Sequence, residues 1–215
     1  MGSLLPIRGR APFFHFKESM MGWTCTYKPK QQSVSDFLLS SGVFTWSDES
    51  PNTYKVLDSA FVNFSEFYAA VECINKQTGE RRVFASITLV TLHKDSRNNI
   101  CYKDMDESCG PCAYNCPLRI LNKLTPTVHE YANEWRERCH QRLQSKKNAS
   151  KFIASLTVGS LIEFEQPVTF KNGYSSNQFR VSRKEGKRII FNDNYVFQRG
   201  YLIGSINEGT ARLIS

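Results

Sequence analysis

Four of the seven cysteines lie in one stretch, CYKDMDESCGPCAYNCP over 101–117. Cys101, Cys109, Cys112 and Cys116 give the spacing C-x7-C-x2-C-x3-C. A C-x2-C pair astride a Gly110-Pro111 turn sets two thiolates on one tetrahedral metal, and Cys101 and Cys116 would complete a four-thiolate zinc site. His129, Cys139 and His140 are alternative ligands. No second C-x2-C follows, so the plainer expectation is no cofactor and a set of small, half-buried free thiols.

Two other chemistries fit the same stretch. Cys116 stands just before Pro117, where a helix is expected to begin. Backbone N–H groups and the helix dipole there stabilise a thiolate, and His129 or His140 is the base within reach in sequence. Asp104 and Asp106, with Glu107, are hard oxygen ligands of the kind that hold Mg²⁺ for phosphodiester chemistry. Crowded on one loop, the three acids fit turn hydrogen bonds and salt bridges at least as well. An enzyme built at 101–117 would therefore use Cys116 with His129, or the acid cluster.

A binding chemistry lies further on. Lys171, Arg180, Arg183, Lys184, Lys187, Arg188 and Arg199 are interleaved with Phe179, Tyr195, Phe197 and Tyr201. Basic and aromatic side chains on a small barrel can track a phosphate backbone and stack bases. The rival reading puts the aromatics in a core and the basic residues at hairpin tips. No P-loop, G-x-G-x-x-G, G-x-S-x-G or H-E-x-x-H motif is present, which removes the common nucleotide-binding and hydrolase readings.

The elements that would position these residues follow from pattern. Val34–Ser41 reads as a short helix, capped by Ser33 and stopped by Gly42. Strands are expected over Tyr54–Asn63, Glu66–Ile74 and Arg82–His93. Their period-2 alternation, with Gly79 in a turn, predicts an antiparallel meander whose third strand is central. Pro117 opens a short helix. Thr125-Pro126, or Thr127 with Glu130, starts another, along which Val128, Tyr131, Ala132, Trp135, Cys139 and Leu143 make an apolar stripe. Ser145–Ser155 reads as a linker. Short strands divided at Gly159, Asn172-Gly173, Glu185-Gly186 and Asn192–Asn194 then predict a small barrel of about five strands, of the SH3-like kind.

Composition narrows the setting. The net charge of +8 favours an anionic partner such as nucleic acid. Seven cysteines cannot all pair within one chain, and Pro6, Arg8, Arg10 and Pro12 break any leader-like apolar run. No apolar stretch approaches the roughly 18–20 residues a bilayer span needs. A reduced, cytoplasmic protein with no membrane contact is expected.

Met21-Gly22-Trp23-Thr24, then YKDMDES with Gly110-Pro111, Cys116-Pro117, Ile120-Leu121, Leu124-Thr125-Pro126 and EWRERC, resembles a bacterial and phage domain family of unknown function. The resemblance covers about 21–145, and VGSLIEFEQPVTFKNG in the tail is also similar to members of that group. It implies carriage on phages and other mobile elements, and supplies no activity or catalytic residue. Cys116 and Cys139 match its pattern more closely than Cys109 and Cys112 do.

The expectation is thus an α+β protein in three parts. Residues 1–20 form an extension. Residues 21–145 pack an antiparallel sheet against one or two helices, and 156–215 form the small barrel. The leading function is a non-catalytic accessory protein that binds nucleic acid or a host protein, with interference with host defence as its natural role on a mobile element.

Overall fold

A computed structural model describes residues 18–20, 22–40, 50–92 and 99–214. The extension up to residue 17, Met21, Gly42 and His93 lie outside the described residues. The chain divides into two compact units, 1–137 and 138–215.

The first unit is built on a six-stranded antiparallel sheet in the order β1-β2-β6-β5-β4-β3. Its strands are β1 (Glu18–Met20), β2 (Trp23–Tyr27), β3 (Asn52–Val62), β4 (Glu66–Asn75), β5 (Arg81–Leu92) and β6 (Asn99–Asp106). The three expected strands are present, and β5 is interior as expected. Two features differ. The sheet takes in Glu18–Met20, which pair with β2, so the boundary drawn at residue 21 cuts through a strand pair. The first six residues of the 101–117 stretch are strand and not loop, because β6 is paired on both sides, with β5 and with β2.

Seven consecutive residues of β4, Phe67–Cys73, are buried, so both faces of this strand are covered. On one face Phe67, Ala69 and Val71 join Val90, Ile100 and Tyr102 beneath Phe37 and Leu38 of α1 (Val34–Ser40). Ser33 starts that helix as expected: its Oγ accepts from Asp36 N at 3.1 Å and donates to the Asp36 carboxylate at 2.6 Å. On the other face Tyr68 lies 6.5 Å, centroid to centroid, from Trp135.

Cys25 and Cys101 are directly opposite in the register of β2 and β6 and form a disulfide, with Cα atoms 4.0 Å apart. The expectation of free thiols throughout is corrected for this pair. Their sulfurs are adjacent because the strands are, a fact that the sequence separation of 76 conceals. The other five cysteines take no part in this disulfide.

Two helices follow in chain order. α2 (Leu118–Leu121) is the short helix expected after Pro117, and α3 runs over Glu130–Ser155. Thr125 does not cap α3. It docks on β5 instead, its N–H donating to Val83 O at 3.0 Å and its Oγ1 accepting from Val83 N at 3.0 Å. Nor is Ser145–Ser155 a linker, since it is the last part of α3. Within the expected stripe, Ala132, Trp135 and Cys139 are buried and Leu143 is half-buried, whereas Val128 and Tyr131 are exposed. Val128 precedes the helix, so helical phase never applied to it.

The second unit, by itself, holds the end of α3 and a five-stranded antiparallel sheet, β10-β9-β8-β7-β11. The strands are β7 (Leu161–Thr169), β8 (Ser175–Glu185), β9 (Arg188–Phe191), β10 (Tyr195–Gln198) and β11 (Ala211–Leu213), with α4 (Arg199–Asn207) before the last. The chain as a whole is α+β, with two antiparallel sheets and four helices among the described residues. Pro167 falls inside β7, where a missing N–H cannot serve a ladder. The register slips there, from Glu163 opposite Gln178 to Val168 opposite Ser176.

The β3–β4 hairpin turns through Asn63 (φ 52°) and Phe64 (φ 58°), both left-handed. Phe64 is 84% exposed, so no packing offsets the Cβ clash of that conformation. Phe64→Gly makes the turn Asn-Gly, the favoured pair for this geometry. The relief of roughly 1–2 kcal/mol exceeds the roughly 0.5–1 kcal/mol entropy penalty of glycine. A rise in the urea midpoint at unchanged slope is expected, and an unchanged or lower midpoint would refute the assignment of strain.

Candidate functional site

The 101–117 stretch is assembled from a strand end, a 3-10 turn (Glu107–Cys109) and an irregular segment leading to α2. Asp106 caps the turn, its Oδ1 accepting from Ser108 N at 2.8 Å. Glu107 is 3% exposed and lies against Arg136 of α3. Arg136 Nε donates to Glu107 Oε2 at 2.7 Å and Nη2 to Oε1 at 2.5 Å, while Nη1 donates to Thr125 O at 2.7 Å. This is the bidentate fork that guanidinium and carboxylate geometry favours. Trp135, the preceding residue, donates from Nε1 to Ala113 O at 2.9 Å. Asn115 N donates to Tyr68 Oη at 3.0 Å, and Asn115 Nδ2 to the Glu66 carboxylate at 3.1 Å.

The acids expected to hold a metal are thus engaged elsewhere. Asp104 Oδ1 accepts from Thr88 Oγ1 at 2.7 Å on the neighbouring strand, Asp106 serves the turn and Glu107 serves Arg136. Among the described residues, no three His, Cys, Asp or Glu side chains gather to hold a metal ion. Cys101 is joined to Cys25, which corrects its place among the zinc ligands; Cys116 is buried, and Cys109 and Cys112 are exposed. Cys116 does not cap α2, whose N-cap is Pro117, and its Sγ lies 3.8 Å from the Pro117 carbonyl. A four-residue helix offers that thiol little dipole, and the thiol is buried. His129 is exposed, with its ring 5.9 Å from that of Tyr131.

The binding residues present a different picture. Residues 138–215 carry 13 Lys and Arg against 5 Asp and Glu, whereas residues 1–137 carry 15 against 15. The whole net charge of +8 therefore belongs to the second unit. From Arg138 to Ile162 there is no acid at all, and α3 carries Arg138, Arg142, Lys146, Lys147 and Lys151. Lys184, on β8, donates from Nζ to Ala154 O at 3.1 Å, capping the C-terminal end of that helix. Arg199 Nη2 donates to Ser150 Oγ at 3.0 Å, and its N–H donates to Lys187 O at 2.8 Å. These contacts bring the β8–β9 hairpin, the start of α4 and the end of α3 together. Lys151, Lys184, Lys187, Arg188 and Arg199 thereby share one region of the unit.

Within it Lys187 and Arg188 are exposed at the hairpin tip. Arg183 is paired with Glu185 at 2.7 Å, and Arg180 donates to Gly159 O at 2.9 Å. Lys171 is exposed in the β7–β8 turn. The interleaved aromatics are largely core: Phe179 is fully buried and Phe197 is 4% exposed, in one cluster with Phe164 and Phe191. Tyr201 is 52% exposed, and Tyr195 stacks on Tyr174 at 4.2 Å. Sequence reasoning did not find one feature, an open cavity of about 430 Å³ at the β7 irregularity. It is lined by Glu163, Glu165, Asn177 and Arg212 among others. Hydrogen bonds from Gln178 and Arg212 hold the Glu163 carboxyl below its ordinary range. Pro167 inside a strand was the one signal for it.

A family model described as a domain of unknown function (DUF6927) matches residues 126–199. The matched stretch takes in EWRERC and VGSLIEFEQPVTFKNG but not the Met21–Thr24 or 102–111 motifs. No curated protein and no solved structure matches the chain. Among the described residues, no helix is long and apolar enough to cross a membrane.

Two outcomes test the site's electrostatics. Arg136→Ala leaves Glu107 buried and unpaired, and a loss of about 3–5 kcal/mol is expected from urea unfolding. A loss below about 1 kcal/mol would mean the pair is solvated. The Asp104 carboxyl is pushed up from 3.8 to about 6 by the protein atoms that displace its water, against the Thr88 hydrogen bond that lowers it. The folded chain then binds this proton more tightly than the unfolded chain does, so stability falls as pH rises from about 4 to about 6 and is level above. Much of the residue remains in solvent, so the contribution stays below about 1 kcal/mol. Asp104→Asn should flatten that part of the stability profile; an unaltered slope would remove the assignment.

Proposed function

We propose that the second unit binds nucleic acid, through phosphate contacts and without base-specific reading. The observation that carries this is the confinement of the net charge of +8 to residues 138–215. A uniformly spread excess serves solubility. An excess held by one small unit makes a local positive field that attracts a polyanion. The acid-free half of α3, the hairpin tip and the start of α4 supply the cations, and Lys187 and Arg188 stand exposed at the tip.

The strand order supports a small rolled sheet of the SH3-like kind as the carrier. The last strand returns to pair with the first of the five, and β8 pairs with both β7 and β9 across a slip at Val181–Arg183. The aromatics fill the core of that sheet, so base stacking is left to Tyr174, Tyr195 and Tyr201. Phosphate neutralisation then supplies most of the affinity, which depends steeply on salt. On a mobile element such a protein would act on host or element nucleic acid, the setting that the sequence resemblance implies.

The test is fluorescence anisotropy with a labelled oligonucleotide, titrated over salt concentrations from about 50 to about 300 mM. Reversing Lys171, Lys187 and Arg188 to Glu should weaken binding at least about tenfold and flatten the log–log salt slope by about 2–3. Asp104→Asn should change neither. No binding at the lowest salt, or a slope unmoved by the reversal, would reject the assignment.

A further inference from the structure

The loop between Glu107 and Ala113 is tethered at both ends to consecutive residues of one helix. Arg136 grips Glu107, and Trp135 donates to the Ala113 carbonyl at 2.9 Å. Between these anchors Cys109 ends the 3-10 turn, Gly110 takes a left-handed φ of 64° and Pro111 fixes the next φ near about −65°. The tethers keep the ends of the loop from drifting apart, and Cys109 and Cys112 are held between them. Both thiols lie outside the disulfide and are exposed, while Cys73, Cys116 and Cys139 are buried. No third metal-ligating side chain joins the pair among the described residues, so the four-ligand closure of a structural zinc site is missing. A disulfide needs only the two sulfurs.

We propose that Cys109 and Cys112 form a reversible dithiol–disulfide couple, charged by exchange with a low-molecular-weight disulfide of the glutathione class. One cysteine, as thiolate, attacks a sulfur of the small disulfide and expels one small thiolate, leaving a mixed disulfide. The second cysteine loses its proton to solvent and attacks the protein sulfur of that mixed disulfide. The second small thiolate leaves, and each takes up a proton. The protein dithiol is oxidised by two electrons and one small disulfide is reduced to two thiols. Only two residues separate the cysteines within a loop whose ends are tethered, which raises the effective concentration of the resolving thiol for the second step. This couple is separate from the Cys25–Cys101 disulfide, which lies at the other end of β6.

The full-length protein is equilibrated in buffers of defined reduced and oxidised glutathione, once folded and once in concentrated urea. Free thiols are trapped by alkylation and the peptide spanning 104–119 is fragmented by mass spectrometry. An internal Cys109–Cys112 disulfide is expected, with an equilibrium constant about tenfold larger in the folded chain, equivalent to roughly 1.4 kcal/mol. Cys112→Ser should instead hold Cys109 as a mixed disulfide with glutathione. A folded-to-unfolded ratio of about one or less, separate glutathione adducts on both wild-type cysteines, or protection of the pair by bound zinc would overturn the proposal.

Discussion

Burying a charge is tolerable only when its partner is fixed, and the first unit is arranged around one such pair. Glu107 and Arg136 meet as a two-bond fork, with the third arm of the guanidinium on the Thr125 carbonyl. Either ion alone would be left in a medium that solvates it poorly. The fork therefore fixes three things together: the end of β6, the segment leading into α3, and the rotation of that helix's first turns. Trp135 then presents its N–H to Ala113 and its ring toward Tyr68. Asn115 completes the arrangement on Tyr68 and Glu66. A stretch rich in turns and polar groups is thereby satisfied internally, as buried backbone must be.

Charge along α3 runs from acids to cations, and the helix dipole explains only a small part of that order. Glu130, Glu134 and Glu137 sit in its first half, and Arg142, Lys146, Lys147 and Lys151 follow toward its end. Acids near the positive end of a helix and cations near the negative end are each stabilising. Lys184 adds to this by donating to the Ala154 carbonyl in the last turn. Within α3 itself that preference covers only Glu130, because the effect fades beyond the end turns and the last turn carries no Lys or Arg. It does not account for Lys171, Lys187 and Arg188, which are exposed on turns and hairpin ends. These exposed cations, together with the acid-free run of α3, are what the proposed polyanionic partner rests on.

The two units divide the chemistry. The first has balanced charge and holds a disulfide, a buried ion pair and a tethered pair of exposed thiols. The second is basic and built on an aromatic core in which Phe179 and Phe197 are packed edge to face at 5.0 Å. Aromatic rings expected to stack on bases are mostly taken up in holding a small sheet together. Small domains bury a modest fraction of their surface, so large side chains are drawn inward first.

Local pattern determined a good deal. Period-2 alternation located β3, β4 and β5, Ser33 marked α1, Pro117 marked α2, and Gly or Asn at the turns divided the strands of the second unit. These signals are short-ranged, so the residues that carry them are also the ones that act. Tertiary pairing decided the rest. Nothing near Cys101 in sequence indicates that Cys25 lies opposite it, because register between strands separated by 76 positions is set by the whole sheet. Thr125 carried a capping signature, yet β5 at Val83 took its hydrogen bonds. Ser145–Ser155 resembles a linker because polar residues dominate it, but Ala149 and Ile153 are buried and keep it helical. The acid cluster resembles a metal site until Thr88 of the neighbouring strand, Ser108 of its own turn and Arg136 of α3 claim its oxygens. Residue types fix what a site can do, and only the fold decides which partners reach it first.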